Sequence, residues 1–183
     1  MRPALRWSGP VAALSITWMA CGQAPTRPTE AATVMRSNPY YSETDTARLE
    51  LPDSVWREVL EPDVYHIARE KGTERAFTGA YWDHEGHGRY RCAACGNALF
   101  LADSKFASGC GWPSFFRPER EGSVLYADDR SHGMVRTEVL CGRCGGHLGH
   151  VFDDGPPPTG KRFCMNSAVL RFEPGPAAPE PEH

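Results

Sequence analysis

Met134-Val-Arg-Thr-Glu-Val-Leu140-Cys141-Gly-Arg-Cys144-Gly145 is the stretch on which the fold turns. Its first half alternates apolar and polar residues, the pattern of a half-buried antiparallel strand. That strand runs directly into two cysteines spaced by two residues and followed by glycine. Cys92-Ala-Ala-Cys95-Gly96 repeats the motif behind a shorter β-like run, Arg89-Tyr-Arg91. Two intervening residues let both thiolates of a pair face one ion, and the glycine permits the tight turn around the sulfurs. Two such knuckles predict a closed tetrahedral site of Cys92, Cys95, Cys141 and Cys144 holding one structural Zn²⁺ per chain. The long separation between the pairs predicts an ion that ties two distant hairpins of one domain. Two disulfides are the competing reading if the chain meets oxidising conditions.

Working outward, Ser123-Val-Leu-Tyr126 and Ala168-Val-Leu-Arg-Phe172 read as further strands between Gly, Pro, Asp and Asn clusters. Ahead of them, Pro52-Asp53-Ser54 followed by Val55, Trp56, Val59 and Leu60 predicts a capped amphipathic turn of helix. Glu61-Pro62-Asp63 opens a second helix with Val64, Tyr65, Ile67 and Ala68 as its apolar stripe. The folded unit is therefore two short helices in front of a β domain, from about Leu51 to Glu173.

The chain of 183 residues suits one domain. Twenty basic against 23 acidic side chains give a formal charge of −3, which argues against a basic face for nucleic acid. The 40% hydrophobic share excludes wholesale disorder. Arg2 and Arg6, a short apolar run from Val11 and then Ala20-Cys21 describe a secretory signal over residues 1–20. Two readings of Cys21 stand: the lipidated first residue of a mature lipoprotein, or an incidental cysteine of a secreted protein. The first gives an exported, periplasmic, membrane-anchored chain. Residues 21–50, rich in Pro, Thr, Ser and Ala, read as a disordered tether, and 174–183 as a disordered tail.

Setting aside Cys21 and the four knuckle cysteines leaves two of the seven, Cys110 and Cys164. Cys164 and Asn166 share a face if they lie on a strand. Lys161 and Arg162 bring positive charge that would lower the thiol pKa. Gly145-Gly-His147-Leu-Gly-His150 sets two histidines after a knuckle, available as metal ligands or as surface groups. Cys110 lies between glycines in Ser108-Gly-Cys110-Gly-Trp112, which predicts a mobile loop beside an aromatic wall. From the residues alone, Cys110 and Cys164 are compatible with a structural disulfide and with a reactive pair. A cysteine hydrolase would use Cys164 with a histidine but leaves Cys110 idle. A zinc-ribbon adaptor leaves both cysteines idle. His84-Glu-Gly-His87 reads as a solvated turn, with a second metal site as the alternative.

The stretches Arg69–Gly79, Ser108–Phe115, Ser131–Val139, Gly145–Gly155 and Pro158–Ala168, with both knuckles, resemble a B-type peptide-methionine (R)-S-oxide reductase. The resemblance implies a mainly β, tent-like fold of two antiparallel sheets with two or three short N-terminal helices. It also implies a structural zinc site remote from the chemistry. It implies Cys164 as nucleophile and Cys110 as resolving cysteine. His147, His150 and Asn166 would hold the sulfoxide oxygen, with Trp112 and Phe152 walling the pocket. The implied partners are oxidised proteins or peptides and a thioredoxin-like reductant, with the chain acting as a monomer.

Overall fold

The structure, a computed structural model, describes residues 37–176. The leader at 1–20, Cys21, the tether as far as residue 36 and the tail from 177 lie outside the described residues. Two helices come first, α1 (Asp53–Val59) and α2 (Pro62–Glu70). Among the described residues nine strands follow: β1 (Gly88–Cys92), β2 (Ala98–Leu101), β3 (Lys105–Phe106), β4 (Ser114–Phe115) and β5 (Val124–Asp129), then β6 (Arg136–Cys141), β7 (His147–Phe152), β8 (Arg162–Met165) and β9 (Leu170–Pro174). They form a three-stranded sheet, β2-β1-β9, and a six-stranded sheet, β3-β4-β8-β7-β6-β5. The registered pairs are antiparallel throughout. No described helix is long and apolar enough to cross a membrane.

The core is aromatic. Tyr90, Phe100 and Phe115 are fully buried, and the Phe100 and Phe115 rings stack with centroids 4.3 Å apart. Phe163 of β8 joins them at 5.8 Å from Phe100, so this layer fixes the back of the strand that carries Cys164. Trp56, the buried anchor of α1, has no exposed surface.

Several local expectations are corrected. Pro52 itself occupies the N-cap of α1, and no side chain caps the helix. Asp53, in the first turn, is taken by Arg69 of α2 at 2.7 Å instead. The strand expected from Ala168 starts only at Leu170, because Ser167–Val169 forms a 3₁₀ turn. The Glu74 carboxylate accepts from the backbone N–H of Ser167 and Ala168, satisfying donors that a helical turn leaves free. Pro174 closes β9 opposite Gly88 rather than opening a tail.

The C-terminal part of the expected tether packs on the domain. Asn38 Nδ2 donates to Ala94 O at 2.8 Å, Ser42 N to Cys95 O at 3.1 Å and Leu49 N to Arg143 O at 2.8 Å. Arg143 accounts for this. Its guanidinium is buried and donates to Cys95 O, Tyr40 O and Asp45, so residues 40–45 supply acceptors that its burial requires.

Candidate active site

The two knuckles have the same backbone. Gly96 N donates to Cys92 O and Gly145 N to Cys141 O, at 2.8 and 2.9 Å, with both glycines at positive φ. One knuckle closes β1 of the small sheet and the other β6 of the large one, so the four sulfurs join the two sheets. All four cysteines are buried and their sulfurs lie within 4.8 Å of one another. Cys92 and Cys144 sulfurs are 3.8 Å apart, Cys95 and Cys141 sulfurs 3.6 Å. A tetrahedron of metal–sulfur bonds of about 2.3 Å has edges of about 3.8 Å. The spacing therefore fits one four-coordinate ion and is nearly twice a disulfide bond. His147 and His150 are not part of this cluster.

A second constellation lies on one face of the large sheet. Residues directly opposite across neighbouring strands share a face, as do alternate residues along one strand. Glu138 of β6 pairs with His150 of β7, His150 with Cys164 of β8, and Cys164 with Ser114 of β4. Two residues along, Arg136 faces Asp129 of β5, and Phe152 faces Arg162. The register alone thus sets a carboxylate, an imidazole, a thiol and a hydroxyl in one row. Gly149 is what lets β7 come so close: a Cβ there would lie 2.1 Å from Cys164 O.

Cys164, Trp112, His150, Phe152 and Asn166 line one pocket of about 130 Å³, with Thr73, Arg136, Gly149 and Met165. The Trp112 indole is fixed by its Nε1–H bond to Glu74 O at 3.2 Å. Asn166 accepts from Glu74 N at 3.1 Å and donates one Nδ2–H to Leu148 O at 3.0 Å, which leaves its second N–H for the pocket. His147 does not line this pocket. It is buried behind His150, its Nδ1–H given to the buried Glu138 at 2.7 Å, while Lys71 reaches the other Glu138 oxygen at 2.8 Å. Burial raises the Glu138 carboxyl, but Lys71 and His147 outweigh it and hold it below the usual range. Burial pushes the His147 imidazole down against the pull of Glu138, so His147 is neutral at neutral pH.

His150 instead turns Nε2 to Asp129 at 2.7 Å. Hydrogen bonds from Ser131 first, then from His150 and Arg136, hold the Asp129 carboxyl far below the usual carboxylate range. Glu74, Asp129, Arg136 and Glu138 were not singled out in the sequence. Glu74 lies inside a stretch of the family resemblance but carries no motif of its own. Arg136 and Glu138 likewise lie inside the stretch Ser131–Val139, Asp129 lies outside every such stretch, and the pairing register is what shows the three together.

Cys110 and Cys164 sulfurs are 3.5 Å apart, and neither is in a disulfide. Bond formation needs a shift of only about 1.5 Å, so the wide swing that the flanking glycines suggested is unnecessary. Burial pushes the Cys164 thiol up to about 12, helped by the negative Cys110 beside it and only partly offset by Arg162. The expected lowering by Lys161 and Arg162 thus loses to desolvation. Lys161 is half exposed and paired with Asp153, and Arg162 is bound through both arms to Asp154. Burial raises Cys110 too, yet hydrogen bonds from Ser108, Ser114 and Cys164 bring it to about 7. Of the two sulfurs in contact, Cys110 is thus the more acidic and Cys164 the less.

His84 Nδ1 is hydrogen-bonded to Tyr90 OH at 2.8 Å and its ring packs on Phe172, so it belongs to an aromatic cluster rather than a second metal site.

Residues 60–174 match the SelR domain. The peptide methionine sulfoxide reductase MsrB of Agrobacterium fabrum is 56% identical over 133 residues, covering 73% of this chain and 98% of that protein. The protein of the same name from Thiobacillus denitrificans is 61% identical over 122 residues, 67% of this chain and 92% of its own. The one from Leptospira interrogans is 57% identical over 121 residues, 66% and 92% of the two chains.

Proposed function

The chain belongs to the SelR-domain family, and on that premise we propose that it is a peptide-methionine (R)-S-oxide reductase that repairs oxidised proteins, with Cys164 as the reacting sulfur. One observation carries the residue assignment: Cys164 shares a side-chain-sized pocket with an indole, an imidazole and an amide, and a second sulfur lies 3.5 Å away.

Methionine sulfoxide presents a small methyl, a basic oxygen and an electrophilic sulfur. Trp112 and Phe152 pack the methyl end, while His150 and the free N–H of Asn166 hold the oxygen. Neutral His147 and its carboxylate support this arrangement from behind; proton delivery falls to His150, held by Asp129. In the resting pair Cys164 carries the shared proton. That proton passes to Cys110, and the Cys164 thiolate attacks the sulfoxide as His150 protonates its oxygen. The oxygen moves to Cys164, giving a sulfenic acid, and the substrate leaves as methionine. Cys110 then displaces water to form the Cys110–Cys164 disulfide, which an external thioredoxin-like dithiol reduces.

Zn²⁺ is the proposed occupant of the four-cysteine site, where it would hold the two sheets together and take no part in the reaction. Export and lipid anchoring through Cys21 complete the proposal, supported by the basic start, apolar run and Ala20-Cys21 order of the leader. Labelling cells with a fatty-acid analogue tests it: no label on Cys21 contradicts the anchor.

The activity is tested with the two epimers of N-acetylmethionine sulfoxide and dithiothreitol. The R epimer is expected to be consumed and the S epimer spared, with Cys164→Ser inactive. Equal use of both epimers, or activity surviving Cys164→Ser, contradicts the assignment.

A further inference from the structure

The two sulfurs, though in contact, open on different clefts. Cys164 lines the pocket of about 130 Å³ described above. Cys110 does not line that pocket; it lines a separate, wide cleft of about 590 Å³, bounded by Phe106–Gly109 on one side and Asp154, Gly155, Pro156 and Arg162 on the other. Its rim is open: Ala107 and Gly109 are exposed, and nothing lies within 4 Å of where a Gly109 Cβ would sit. With Cys110 in the disulfide, the only charges in the cleft's lining are Asp154 and Arg162, which neutralise each other through two bonds of 2.8 Å. What remains for a visitor is a lip of Phe106, Ala107, Ser108 and Pro156 in a cleft whose exposed lining is more polar than apolar.

We propose that this second cleft is the docking surface for the reductant, a small protein presenting a Cys-X-X-Cys dithiol on an uncharged tip, and that it attacks Cys110 there. The inference rests on the reductase reading above and adds where, and on which sulfur, the electrons enter. Displacement at a disulfide is in line, the nucleophile entering opposite the sulfur that leaves. Cys110 lines the wide cleft and Cys164 does not, so a nucleophile entering from that cleft meets Cys110 first. Attack on Cys164 would have to pass through the small substrate pocket, which admits the tip of a side chain but not a protein loop. The reductant thiolate bonds to Cys110, the S–S bond breaks, and Cys164 leaves with the electron pair and takes up a proton. The second thiol of the reductant then attacks its own sulfur in the mixed disulfide, freeing Cys110 as thiolate and leaving the reductant as a disulfide.

Leaving-group acidity pulls the other way, since Cys110 is the more acidic thiol and would be expelled more easily. Access overrides it here, and that opposition makes the identity of the attacked sulfur diagnostic. The full chain, oxidised by one turnover, is mixed with thioredoxin whose second active-site cysteine is replaced by serine, and the trapped mixed disulfide is mapped by peptide mass spectrometry. The link is expected on Cys110; a link on Cys164 overturns the proposal. Ala107→Glu and, separately, Pro156→Glu are expected to raise KM for thioredoxin about tenfold, with sulfoxide KM and dithiothreitol-driven turnover unchanged. An unaltered thioredoxin KM in both variants also overturns it. Absence of dithiothreitol-driven turnover in the unmodified chain would instead overturn the reductase reading beneath it.

Discussion

Replacing Cys110 by serine should make Cys164 more reactive, not less. With a pKa of about 7, Cys110 is about three-quarters thiolate at pH 7.5, whereas Cys164 at about 12 is ionised to only about three parts in 100,000. The difference in thiolate is about four decades. A thiolate of higher pKa is the better nucleophile, with a Brønsted slope of about 0.4–0.5, which recovers about two of those decades. Iodoacetamide should therefore label Cys110 about a hundredfold faster than Cys164 in the reduced chain. After burial, the two largest causes of the high Cys164 value are the negative charge on Cys110 and the hydrogen bond between the sulfurs. Serine removes both. Each unit by which Cys164 then falls gives tenfold more thiolate and, after the nucleophilicity loss, about threefold faster labelling. The assay is timed alkylation at pH 7.5 with peptide mass spectrometry, comparing the original chain with Cys110→Ser. Faster labelling of Cys164 than of Cys110 in the original chain, or slower labelling of Cys164 in the variant, refutes the reasoning.

Asp129→Asn leaves His150 without its anionic partner; kcat should fall about tenfold or more with little change in sulfoxide KM, and the pH–rate profile should change shape. An unchanged profile would remove Asp129 from the proton path. Gly149→Ala drives a methyl against Cys164 O, so β7 and β8 must separate; a lower Tm and loss of activity are expected, read by thermal melting and turnover. Cys95→Ala removes one of four buried sulfurs: metal content should fall below half an equivalent and the chain should melt at markedly lower temperature. Retention of a full equivalent with an unchanged Tm would contradict a four-thiolate structural site.

The knuckles were legible because their chemistry is local: two residues between cysteines and a glycine after them fix both the turn and the ligand set. The β character was legible from alternation, and Met134–Leu140 overlaps β6. Boundaries set by distant groups were not. The strand expected from Ala168 is delayed because a carboxylate 94 residues away caps its first N–H groups. Residues 38–49 look like linker by composition, yet Arg143 holds Tyr40 O and the Asp45 carboxylate beside the knuckle. The pocket residues could be proposed from the family stretches, but strand alternation alone would set His147 and His150 on opposite faces; the bulge between Val139 and Leu140 brings His147 opposite Leu140, onto the Glu138 side, where it is buried. The thiol acidity was misread because burial, which adjacent sequence does not show, outweighs the nearby charge: Arg162 lowers the Cys164 thiol only in part, and Lys161 is paired with Asp153.

The most direct measurement is a thiol map after a single turnover of the reduced chain with excess (R)-sulfoxide and no reductant. One equivalent of methionine should appear with a disulfide between Cys110 and Cys164 and the four knuckle cysteines untouched. In Cys110→Ser the same equivalent should leave a sulfenic acid on Cys164. Methionine formed while Cys164 remains a free thiol would contradict the chemistry assigned to this site.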